Sequence, residues 1–315
     1  MNAAPVRRRA HCAALRPLLL GAALAAEWPG HAQAAALRYC DPPIAIDAPQ
    51  KDRLLRFGAL VKDELEQSGQ ALALIARSGL DLSRFNQRYS HSGVTLKASR
   101  NAPWSVRQLY YACAERKPRL FDQGMAGFLL GTDDPSIGYI SLVFLPDALA
   151  APLERVALDN RQALRVLGTT YSANAYPFDA RYQNCNQWVA ELLASAWGLG
   201  ESEAQGSDFR THAQQWLKAQ GYEPTPMQVT SRALMFAGGF VPWLHSDDHP
   251  AADVEAMVYR VSMPASIESF VLTQAPTARR VEFCHTTTQI VVHRGWDTIA
   301  EGCVPGPSDT VIPYD

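Results

Sequence analysis

Tyr182-Gln183-Asn184-Cys185-Asn186-Gln187-Trp188 is the stretch on which the reading of this chain turns. From Trp188 onward, Val189, Leu192, Leu193, Ala196 and Trp197 recur at helical spacing, so a buried helix begins here. Asn184 is a good N-cap, and Gln187 three residues later completes the pattern of a capping box. Gly198 and Gly200 are expected to stop the helix. Cys185 then becomes the first helical residue, beside free backbone N–H groups and the positive end of the helix dipole. Both favour thiolate over thiol. The competing expectation for a lone cysteine is plain core packing.

The start of the chain suggests where such a thiol would work. Arg7, Arg8 and Arg9 form a basic region, and Ala13 to Ala26 is apolar except for Arg16 and Pro17. Ala32-Gln33-Ala34 offers a small-residue cleavage site. Residues 1–34 therefore read as a secretory signal peptide, and 35–315 as the mature chain of an exported, periplasmic protein. The apolar stretch is too short and interrupted to span a membrane, and no other candidate follows. The mature chain carries 25 basic and 30 acidic residues, a net −5. Nucleic acid is therefore an unsuitable partner.

Removing the signal leaves Cys40, Cys113, Cys185, Cys284 and Cys303. An odd count in an oxidising compartment suggests bridges plus one free thiol. Cys284 with Cys303, and Cys40 with Cys113, are plausible pairs, with Cys185 left free. Sequence alone leaves all the pairings open. No two cysteines have zinc-ligand spacing. His245, Asp247, Asp248 and His249 have metal-ligand chemistry but sit on an irregular loop, where adjacent side chains rarely face one ion. No metal is expected. No glycine-rich loop follows a strand, so no nucleotide or other cofactor is expected either.

The rest of the mature chain reads as one α+β domain of helix, strands, helices and strands, with a C-terminal extension over about 225–315. Helices are expected over 52–69, 148–168 and 209–220, with a helical turn near 231–236. Strands are expected over 71–76, 89–96, 104–112 and 137–145, and 267–273 with 281–294 as a closing β-pair.

A thiol hydrolase needs a nucleophile, a base and a group that orients the base. His91 starts a strand in Tyr89-Ser90-His91-Ser92-Gly93-Val94, with small neighbours around its ring. On the next strand Trp104, Val106, Gln108 and Tyr110 share a face, and the Gln108 amide can accept from the imidazole N–H. Asn186, Tyr89 and Tyr182 are candidates for the oxyanion site, and Trp188, Tyr182, Trp104 and Tyr110 for a substrate groove. For these aromatics core packing is the competing expectation.

The runs Leu72 to Phe85, Tyr89 to Val94, the strand ending in Cys113, and Tyr182 to Trp188, in that order, resemble the circularly permuted papain-like group. That group includes the NlpC-like cell-wall enzymes and the lecithin:retinol acyltransferase-like proteins. Asn184 to Trp188 and Asp247 to Pro250 also resemble an exported proteobacterial family of unknown function. The first resemblance implies a permuted papain-like core, an antiparallel sheet packed on the nucleophile-bearing helix. It implies Cys185 as nucleophile and His91 as base, acting on an amide or ester in cell-wall peptide or lipid. Gln108 stands where such proteins often have His. The alternative expectation is a non-catalytic envelope binding or assembly protein that keeps the frame. Oligomeric state is not legible.

Overall fold

The computed structural model describes residues 45–199 and 207–314. The expected signal peptide and Cys40 lie outside them.

An eight-stranded, wholly antiparallel sheet organises the chain. Its strands are β1 (Leu72–Arg77), β2 (His91–Leu96), β3 (Ser105–Ala112), β4 (Lys117–Gln123), β5 (Gly138–Phe144), β8 (Arg279–His285), β9 (Gln289–Arg294) and β10 (Thr310–Pro313). They lie in the order β10-β9-β8-β5-β1-β2-β3-β4. A separate ribbon pairs β6 (Thr225–Gln228) with β7 (Val258–Val261). This is an α+β fold with one large antiparallel sheet.

Helices cover both faces because the inner strands are apolar on both. Leu72, Leu74, Val94, Leu96, Leu109 and Val143 point one way. They meet α3 (Asp147–Leu158), α4 (Asn160–Arg165), α5 (Cys185–Ala194), α6 (Ser207–Ala219) and α9 (Pro264–Gln274). The alternate residues Ala73, Ile75, Val106, Ile140 and Leu142 point the other way, onto α1 (Ala48–Gln67) and α2 (Met125–Leu129). Central strands buried on both faces lose the polar alternation of a half-exposed strand. Two short helices, α7 (Arg232–Gly238) and α8 (Ala251–Glu255), complete the α-helices among the described residues.

Three expectations need correction. Residues 267–273 form the middle of helix α9 and not a strand: Ile267, Phe270 and Val271 recur at helical spacing after Pro264 at the helix start. A short apolar run is ambiguous between the two periods. The closing pair is instead the β8–β9 hairpin. The stretch beyond 225 is no appendage, because β8 pairs along the length of β5 and Val281 and Phe283 join the core. The helix expected over 148–168 divides at Asp159, whose side chain caps α4 by accepting from Arg161 N.

Cys284 and Cys303 are joined in a disulfide, and Cys185 is a free cysteine. Cys113 is disulfide-bonded as well. No helix among the described residues is long and apolar enough to cross a membrane.

Candidate active site

Cys185 is the first residue of α5, and the Asn184 side chain accepts from Gln187 N at 2.7 Å. The reciprocal arm of the capping box is missing. Gln187 Nε2 instead donates to Glu191 Oε1 at 3.1 Å. The Asn184 amide donates to Ala173 O and Ser262 O, which clamps the helix start between two loops.

Glu191, fully buried six residues after Cys185, is the anchor of this region. Its carboxylate accepts from Gln183 Nε2 at 2.7 Å, Gln214 Nε2 at 2.7 Å and Arg210 Nε at 2.8 Å, as well as from Gln187. Arg210 also donates to Ala180 O and Tyr182 O. The run leading into Cys185 is therefore pinned to α6 through one satisfied buried charge pair, which the sequence reading missed.

Helix α5 reaches the start of β2 through Asn186. Its Oδ1 accepts from Ser92 Oγ at 2.9 Å, and its Nδ2 donates to Ser90 O at 3.2 Å. The residue after Cys185 thus grips the residues on either side of His91. That bond set accounts for Asn186, which is spent on positioning. Ser92 faces α5, so the alternation of the strand turns the His91 ring to the other side of β2. There the ring lies against Tyr110 (centroids 4.8 Å) and Phe128 (6.1 Å). His91 Nε2 meets Gln108 Oε1 at 2.6 Å, and Gln108 Nε2 donates in turn to Gln123 Oε1. Nδ1 is the ring nitrogen left over. Among the described residues no hydrogen bond joins Cys185 Sγ to this ring.

Gly93 permits the close approach of β3 that carries Gln108. A Cβ there would lie 2.6 Å from Val106 Cγ1 and 2.9 Å from Arg107 O. Gly93→Ala is expected to push β3 away and destabilise the protein by about 1–3 kcal/mol. Urea denaturation of the purified variant checks it.

Electrostatics correct one expectation. Burial pushes the Cys185 thiol up to about 12. The backbone N–H groups of Asn186 and Cys185, the Arg77 charge and a hydrogen bond from the Tyr171 side chain all pull the other way. The helix-start effect is present, but desolvation of a residue only 8% exposed outweighs it. His91 is pushed down to about 3, by burial first and then by the Arg77 charge, against the Gln108 hydrogen bond. The resting pair is a neutral thiol and a neutral imidazole.

Tyr171 was not anticipated. It bridges to Gln183, two residues before Cys185, and its ring lies against Tyr111 (5.2 Å). Tyr111 meets Trp243 (5.8 Å), and Trp243 O accepts from Ala173 N. Trp243 ends a segment whose Phe236 and Phe240 are 73% and 74% exposed.

Other candidates lie elsewhere. Tyr89 gives its hydroxyl to the buried carboxylate of Glu282, which also binds Arg88, so Tyr89 is not an oxyanion donor. Tyr182 bonds Asp247 and stacks on His245 at the surface. Trp188 is fully buried, with Nε1 on Ala163 O, and lines no groove. Trp104 is likewise core. Asp248 accepts from Tyr176 N, and His249 bonds Asn174 O. No group of three or more metal-type side chains forms among the described residues.

A family model described as an uncharacterized protein conserved in bacteria (DUF2145) matches residues 64–271. The chain belongs to this family. The match spans β1 to α9 and so contains His91, Gln108 and Cys185. No curated protein and no solved structure matches the chain.

Proposed function

We propose that this protein is a cysteine hydrolase or acyltransferase for an amide or ester bond, with Cys185 as nucleophile, His91 as base and Gln108 orienting the base. The observation that carries this reading is the Asn186 grip on Ser90 and Ser92. It ties the free cysteine of a helix start to the histidine whose far nitrogen Gln108 already holds. A permuted papain-like core is part of the same reading, supported by the His-before-Cys order and the antiparallel sheet beneath the helix. So is export to the periplasm, with which the Cys284–Cys303 disulfide is compatible.

The Cys185 proton moves to His91 Nδ1 by way of water at the start of β2, since ring and sulfur lie on opposite sides of that strand, as sulfur attacks the carbonyl carbon. Catalytic hydrogen bonds are often long before substrate binds. The carbonyl oxygen gains charge and accepts from Cys185 N–H and the Tyr171 hydroxyl. Collapse breaks the C–N or C–O bond, and His91 protonates the leaving group. Water, or an acceptor amine or alcohol, then cleaves the thioester. The Tyr171–Tyr111–Trp243 layer suits an apolar acyl group, from cell-wall peptide or lipid.

The test is acylation by p-nitrophenyl esters of increasing chain length, followed by peptide mass spectrometry. A hydroxylamine-labile adduct on Cys185, absent in Cys185→Ala, is the expected result. No adduct at any chain length overturns the reading. The buried, neutral state of the thiol favours one alternative, a non-catalytic envelope protein that retains the frame. Under that alternative Cys185→Ala complements a deletion strain fully.

A further inference from the structure

Arg77 ends β1 directly opposite His91 in the strand register. Its side chain is buried, yet it makes no ion pair with any carboxylate among the described residues. Nη1 donates to Gly131 O and, at 3.3 Å, to Ser78 O, while Nη2 donates to the Tyr110 hydroxyl. Nε is buried with no hydrogen-bond partner among the described residues. The guanidinium also lies over the Phe128 ring, 5.3 Å from its centroid. Tyr110 and Phe128 are the two rings that pack the His91 imidazole. The protein also makes room for this group, because a Cβ on Gly79 or Gly131 would collide with it.

A buried cation without a counter-charge is costly, several kcal/mol after relaxation. Among the described residues every other buried arginine has its carboxylate: Arg210 has Glu191, and Arg280 has Glu268 and Glu282. The groups on which the Arg77 charge acts are Cys185 and His91. His91 lies opposite it on β2, with Tyr110 from β3 and Phe128 from α2, and Cys185 at the start of α5 lies within the reach of its field.

We propose that Arg77 is the built-in cation of this site, its missing counter-anion being the negative charge that forms on Cys185 sulfur and then on the substrate oxygen. Arg77 touches neither substrate nor sulfur and acts as a positioning residue through the field it sets. This inference rests on the thiol-hydrolase reading above. In the first step the Cys185 proton goes to His91 and the sulfur keeps the electron pair, within the field of a fixed positive charge. In the second, the same charge makes the imidazolium a stronger acid and returns the proton to the leaving group. An Arg in this place therefore assists both halves of the cycle.

The experiment follows iodoacetamide alkylation of Cys185 against pH, and the His91 titration by NMR, in wild type, Arg77→Met, Arg77→Lys and Gly131→Ala. Arg77→Met is expected to slow alkylation at pH 7 about tenfold and to raise the His91 pKa by about one unit. Arg77→Lys, which keeps the charge, should restore most of both. Gly131→Ala displaces the guanidinium without removing it, and should move both profiles a smaller step the same way. It keeps the test alive if Arg77→Met does not fold. Profiles that stay in place in Gly131→Ala and in folded Arg77→Met overturn the inference, even where stability falls. If wild-type Cys185 is slow and indifferent to His91→Ala, the thiol-hydrolase reading itself fails and takes this one with it. If His91→Ala matters and the Arg77 charge does not, only the present inference fails.

Discussion

His91→Ala is expected to slow alkylation of Cys185 at pH 7 by about 10²–10⁴-fold, measured with iodoacetamide and mass spectrometry. The reason lies in the thiol. Burial raises it to about 12, so spontaneous thiolate is scarce at neutral pH. Fast reaction then needs a base that takes the proton during attack. His91, pushed down to about 3, stays neutral and able to accept a proton through the whole physiological range. The wild-type rate should therefore show no acid limb between pH 5 and pH 7, where an ordinary imidazole would titrate. A limb there would mean that His91 is solvated and that the site is more open than described. Truncation also strands Gln108 Oε1 and leaves a cavity, so His91→Ala should lose about 1–3 kcal/mol of stability. His91→Gln serves as the control for that loss.

Glu191→Leu should be the most destabilising single change, about 3–5 kcal/mol, because it leaves Arg210 charged, buried and unpaired. Chemical denaturation measures it. Glu191→Leu combined with Arg210→Met should cost less than the sum of the singles, since the pair is lost together and no charge remains stranded. The effect should reach the site as well. Arg210 holds Ala180 O and Tyr182 O, the backbone that delivers Cys185. Alkylation of Cys185 in the folded fraction of the single variant should lose its dependence on His91. A Glu191→Leu protein as stable as wild type would show that the network is only surface-like in its energetics.

The parts of this structure that were legible are those where local pattern and burial agree. The Asn184 cap followed by the apolar stripe defines α5 without help from the rest of the chain. Gln108 was legible because a two-residue period puts it on the face of Val106 and Tyr110, where the His91 ring arrives. Strand β4 was missed because, as an edge strand, its run Lys117-Pro118-Arg119-Leu120-Phe121-Asp122-Gln123 alternates with charges and carries a proline. The Glu191–Arg210 pair joins residues whose meeting is set by helix packing, which no local window contains. Arg77 left only one faint trace, a charged residue closing the apolar run Leu72 to Ala76. Its burial becomes visible only when β2 and β3 are laid beside β1. The depressed thiol expected at the helix start failed for a related reason: capping is local, but desolvation is a property of the whole packed layer.

The matched family segment ends at residue 271, within α9, yet β8 lies between β5 and β9 in the sheet. A shortened recombinant product cut at the family boundary would bare the whole hydrogen-bonding rim of β5, Gly138 to Phe144, an apolar ribbon already shaped to accept another strand. Such a rim recruits copies of itself. For anyone expressing this protein, inclusion bodies from a trimmed clone would report a missing neighbour strand and carry no information about what the intact chain does.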